Sequence, residues 1–171
     1  MNRKNFYWAA YIPRAIIINL STFGPVGTLL KAPGTWGSVL GLFLYVFFFK
    51  ELPNWAYIST LLVGTYLTMG ICNEAEIRFN TKDPGFVILD EIIAIPFCFI
   101  FLFPEGSESS YTLWVWLLLG FILFRILDIT KPWIIGRLQE IGGGFGVVID
   151  DVVAAIFTNL VLQILFWMTH G

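Results

Sequence analysis

Long apolar runs broken by short polar ones dominate the chain. Apolar stretches cover residues 36–49, 55–72, 92–103, 111–127 and 152–168, and the third extends back towards Phe86. Each reads as a membrane helix, since a chain crossing hydrocarbon must satisfy its own backbone hydrogen bonds. Several fall short of the ~20 residues that cross ~30 Å of hydrocarbon, so tilt, local thinning or partial crossing is expected. Ahead of them, residues 8–20 are apolar but contain Pro13 and Arg14, marking a separate N-terminal element.

Composition agrees with the pattern. Of 171 residues, 57% are hydrophobic and only 13% charged, with a mean hydropathy of +0.79. A soluble domain is about half apolar and about a quarter charged. The expected fold is therefore all-α: a single polytopic membrane helix bundle over residues 1–171, without internal repeats or linkers. A net charge of -2 without a basic tract gives no footing for nucleic acid. Cys72 and Cys98 lie in apolar surroundings without metal-ligand spacing and read as free core thiols. Residues 1–11 lack the apolar core and cleavage site of a signal peptide.

Charge placement orients the bundle. If the five stretches cross in turn, one side receives the N-terminus, residues 31–34, 73–91 and 125–151, and with them nine of the ten Lys and Arg residues; only Lys50 falls opposite. The positive-inside rule makes the first side cytoplasmic. The same parity makes residues 8–31 a re-entrant or interfacial hairpin that turns near residues 21–27.

Five carboxylates then stand out on the cytoplasmic side: Asp90, Glu91, Asp128, Asp150 and Asp151. An acid beside hydrocarbon costs roughly 3 kcal/mol or more and is usually retained for function. Adjacent acidic pairs repel unless neutralised, and a divalent cation such as Mg²⁺, which prefers oxygen ligands, fits them. Asp90 and Glu91 open an apolar run and differ in helical direction by about 100°, so one can bind metal while the other acts through water or as a base. Glu74, Glu76 and Asp83 compete to supply a further ligand. Arg125, Asp128 and Lys131 recur every three residues and would share a helix face that ends before Pro132. Pro33 and Gly34 set a turn, Thr35 or Ser38 can cap the helix that follows, and its first amides with Lys31 make an anion site. Residues 142–146 are glycine-rich but match neither the P-loop nor the dinucleotide fingerprint. The Cys72 to Arg78 spacing of cysteine phosphatases is a chance match, because acids and no glycine intervene. His170, the one histidine, lies on the opposite side, which argues against histidine catalysis.

Four motifs, Lys31-Ala32-Pro33-Gly34-Thr35-Trp36-Gly37-Ser38, Asp90-Glu91, Phe124-Arg125-Ile126-Leu127-Asp128 with Lys131-Pro132, and Gly144 through Asp150-Asp151-Val152, occur in that order. In this respect the chain resembles the membrane-bound phosphatidylglycerophosphatase A proteins of bacteria. It departs at Ile134, where the family often has proline, and at Ala94 and Ala155, where it often has glycine. The resemblance implies a Mg²⁺-dependent lipid phosphatase of the inner membrane that hydrolyses phosphatidylglycerophosphate to phosphatidylglycerol on the cytoplasmic face. Under it, Asp90, Asp128, Asp150 and Asp151 are expected to hold metal, and Glu91 to act as base or water-mediated ligand. The catalytic set is Asp90, Glu91, Asp128 and Lys131; Lys31, Thr35, Ser38, Arg125 and Lys131 would bind the phosphate. The competing class is a cation channel or transporter with intramembrane acids.

Overall fold

The computed structural model describes residues 6–103, 110–132, 134–139 and 141–170. The side chains of Ile134 and His170 lie outside what it describes. Described residues form helices and connections, with no strand among them. The helices are α1 (Tyr7–Ala10), α2 (Arg14–Thr22), α3 (Pro25–Leu29), α4 (Pro33–Leu44, continued by a π-helical turn Tyr45–Phe49), α5 (Asn54–Phe79), α6 (Leu89–Ala94, continued by a 3₁₀ turn Ile95–Phe99), α7 (Ser110–Thr130), α8 (Ile134–Gln139) and α9 (Gly143–His170).

Three of them, α5, α7 and α9, are long and apolar enough to cross a membrane, and α4 with its π turn is a shorter apolar helix. The third apolar stretch departs from expectation, because it is not one membrane helix. Pro96 explains the break: it lacks an amide hydrogen, and its ring crowds the carbonyl four residues back. The segment tightens into the 3₁₀ turn, and its free carbonyls are answered from neighbouring helices. Tyr57 Oη donates to Pro96 O at 2.6 Å, and Asn159 Nδ2 to Cys98 O and Ile100 O, each at 2.9 Å. Irregular backbone is tolerated at membrane depth only when it is satisfied in this way.

Helices α5 and α9 run further than the apolar runs suggested. Helix α5 continues seven residues past Cys72, and α9 starts nine residues before Val152. The backbone ladder closes within each segment whether the side chains are apolar or polar, so hydropathy underestimates helix length. Asp150 and Asp151 thus sit about two turns inside α9 rather than at its entry.

At the N-terminus, α2 turns back into α3 through Phe23 (φ 49) and Gly24 (φ 62), within the span expected for a hairpin. This hairpin packs beside α5, and Ile88 N donates to Ser21 O at 2.9 Å, tying it to the start of α6. Helix α4 lies close against α6: a Cβ at Gly37 would meet Ile88, and one at Gly41 would meet Ile92 O and Ile95. Small residues permit such approach between apolar helices. Cys72 and Cys98 are both free and fully enclosed.

Candidate active site

Three helices bring their acids to one end of the bundle. Asp90 and Glu91 occupy the first turn of α6, where the helix dipole favours negative charge. Asp128 lies in the last turn of α7, and Asp150 and Asp151 lie on α9. Asp90, Asp128, Asp150 and Asp151 are buried, and Glu91 is partly exposed.

Within this group the geometry separates two kinds of acid. Asp90, Glu91 and Asp151 each offer a carboxylate oxygen within 4.8 Å of the others, the one such cluster among the described residues. Asp128 and Asp150 are instead matched with cations. Arg125 Nη1 lies 2.6 Å from Asp128 Oδ2, and Lys131 Nζ lies 2.6 Å from Asp150 Oδ2. Asp128 and Asp150, expected as metal ligands, are thus in contact with the two basic residues expected to hold phosphate.

The expected shared face of Arg125, Asp128 and Lys131 holds for the first two only. Helix α7 ends at Thr130, and Lys131 lies beyond it at φ 41, its amide donating to Leu127 O at 2.9 Å. This left-handed turn costs an L-residue roughly 1–2 kcal/mol. It swings the side chain away from α7 and onto α9.

The start of α4 also differs from expectation. Ala32 is the N-cap, at φ 53, without a side-chain cap bond, and Pro33 takes the first helical position. Proline's fixed φ starts the helix there, which leaves Thr35 and Ser38 too far inside to cap it. Thr35 N donates to Ala32 O at 3.0 Å. Ser38 Oγ donates to Gly34 O at 3.0 Å and accepts from Arg125 Nη1 at 3.4 Å, so Ser38 steadies the guanidinium. Lys31 is exposed. A Cβ at Gly34 would collide with Glu91 Oε1 and come within 3.3 Å of Arg125 Nη1; glycine keeps the space between acid and guanidinium open.

Electrostatics mark the triad as incomplete. Burial, followed by the charge of Glu91, holds the Asp90 carboxyl well above its usual range. Burial and Asp151 push Glu91 up to about 8. Burial works against the Lys131 ammonium, but Asp150 outweighs it and keeps the pKa above the ordinary value. Asp90 Oδ1 and Glu91 Oε2 are buried without a hydrogen-bond partner. Clustered hard oxygens, two of them unpartnered, fit a Mg²⁺ ion.

The other candidate ligands are engaged elsewhere. Glu74 Oε1 is 2.8 Å from Arg78 Nε, and Glu76 Oε1 accepts from Asp83 N at 2.7 Å. Sequence reasoning did not single out Asn73, whose Oδ1 accepts from Gly144 N at 3.3 Å. A polar residue inside an apolar helix was the available signal.

A family model described as Phosphatidylglycerophosphatase A matches residues 19–166. A Haemophilus influenzae protein named Phosphatidylglycerophosphatase A is 35% identical over 144 residues, covering 83% of this chain and 84% of the relative. An Escherichia coli protein of the same name is 31% identical over 140 residues, covering 81% and 74%. A Bacteroides thetaiotaomicron protein provisionally named a phosphatidylinositol-3-phosphatase is 27% identical over 142 residues, covering 80% and 85%. No solved structure matches the chain.

Proposed function

The chain belongs to the phosphatidylglycerophosphatase A family of enzymes, and from that premise we propose that it is a Mg²⁺-dependent phosphatase of the bacterial inner membrane, converting phosphatidylglycerophosphate to phosphatidylglycerol and phosphate on the cytoplasmic face. The observation that carries this reading is the Asp90, Glu91 and Asp151 cluster beside two cationic side chains. Asp90 and Asp151 would hold Mg²⁺ with Glu91 completing the set. When bound, the ion supplies charge neutralisation and polarises the phosphoryl group.

The protein's own groups do the rest. Arg125 and Lys131 would draw the phosphate oxygens, while Asp128 and Asp150 keep both cations aimed and charged. A guanidinium suits two oxygens at once, and an ammonium acts as a point charge. Glu91, the most exposed acid of the triad, stands where it can take a proton from an attacking water. Water oxygen forms the new bond to phosphorus, the bond from phosphorus to the glycerol oxygen breaks, and that oxygen leaves with a proton. Phosphate monoesters hydrolyse extremely slowly unaided, so positioned charge must account for most of the acceleration.

The channel alternative finds no support in the family match, and the described acids of the site gather at one end of the bundle. The deciding experiment is phosphate release from phosphatidylglycerophosphate by purified protein, with and without chelator. Release should stop on chelation and return with Mg²⁺; release indifferent to chelation refutes the metal reading. A parallel assay with phosphatidylinositol-3-phosphate tests the substrate, since turnover faster there would reassign it.

A further inference from the structure

Three polar side chains near the end of α5 grip backbone from three different segments. Asn73 Oδ1 accepts from Gly144 N at 3.3 Å in the first turn of α9. Glu76 Oε1 accepts from Asp83 N at 2.7 Å in the connection leading to α6, where Asp83 adopts φ 46. Arg78, paired with Glu74, donates from Nη2 to Ile12 O at 2.8 Å in the N-terminal hairpin. Asn73 and Glu76 are buried, and neither belongs to the acidic triad.

The first two grips act on the segments that carry the triad. Gly144 precedes Asp151 by seven residues, just under two helical turns, so both lie on the same face of α9 about 10 Å apart. Asp83 precedes Asp90 by the same number along the path into α6. The contact at α9 is tight: a Cβ at Gly144 would collide with Met69 O on α5. Any slide of α9 along α5 therefore moves Asp151 relative to Asp90 and Glu91.

We propose that Asn73 and Glu76 are positioning residues for the cation site, with one helix setting the height of both ligand-bearing segments so that Asp90, Glu91 and Asp151 converge. The proposal rests on the metal reading above. Each grip needs only an acceptor oxygen: Glu76 Oε2 has no partner, so glutamine keeps the contact to Asp83, and aspartate can replace Asn73 Oδ1.

The test is calorimetric Mg²⁺ titration of the purified full-length protein, with a melting temperature for every variant. Asn73→Ala and Glu76→Ala should weaken Mg²⁺ affinity by about tenfold or more, the scale seen when groups that orient metal ligands are removed. Asn73→Asp and Glu76→Gln should restore the affinity of the unaltered protein. Gly144→Ala, which leaves both side chains intact but pushes α9 off α5, should reproduce the loss. Unchanged affinity in the alanine variants, or conservative variants as weak as the alanine ones, overturns the proposal. If the alanine variants fail to fold, the conservative pair and Gly144→Ala decide by the same criteria. An unaltered protein that binds no Mg²⁺ brings down the metal reading, and this proposal with it, before any variant is made.

Discussion

Carboxylates brought within 4.8 Å of one another must either share protons or admit a cation, and the balance between these outcomes depends on pH. Glu91 is pushed up to about 8, and Asp90 is held above its ordinary value by burial and by the charge of Glu91, so without a cation Glu91 is largely protonated at neutral pH. Binding Mg²⁺ must displace that proton. Affinity should therefore strengthen as pH rises through about 8 and weaken below it, measured by titration between about pH 6.5 and pH 9; a flat profile would contradict the assignment. Asp90→Asn and Asp151→Asn should each cut turnover about 100-fold or more and weaken Mg²⁺ binding. Asp128→Asn should raise KM for the lipid, because it removes the charge that holds Arg125. Residue types alone pointed to all five acids and both cations. They could not divide the acids into a clustered triad and a pair matched with cations, because the Lys131 to Asp150 pair joins α9 to the end of α7, and only tertiary structure specifies it.

At the scale of elements, the sequence was most misleading where hydropathy stood in for geometry. Residues 92–103 read as one helix, although Pro96 carried the signal for a break. The resulting bent segment depends on Tyr57 and Asn159 for its carbonyl partners. Asn159→Leu should leave Cys98 O without its side-chain donor, while Ile100 O keeps Gln163 Nε2 at 3.3 Å, and cost about 1–3 kcal/mol of stability, read from denaturant unfolding in detergent. Mg²⁺ affinity should hardly change, since Asn159 lies two turns beyond Asp151. Helix lengths were underestimated for a related reason. Asn73, Glu74, Glu76 and Arg78 are polar and lie beyond the apolar run that ends near Cys72, yet α5 simply continues through them.

For the whole molecule, the clearest statement available from sequence was orientation, which rests on a nine-to-one division of basic residues. Under that topology, a thiol placed at the exposed Lys50 should react with a membrane-impermeant maleimide from the periplasmic side. One placed at the exposed Arg137 should react only after the membrane is opened. Equal reactivity of both from outside would invert or abolish the scheme. The depth of the short N-terminal helices in lipid was not legible, because apolar length alone cannot distinguish lying on a bilayer from dipping into it.

Cys72 and Cys98, each sealed inside the bundle, make that mapping simpler than usual. A reagent that alkylates only thiols it can reach finds none on the native surface. The unaltered chain can then serve as its own blank, and every band that takes up label can be read as the engineered position alone, without first stripping the protein of its natural sulfur.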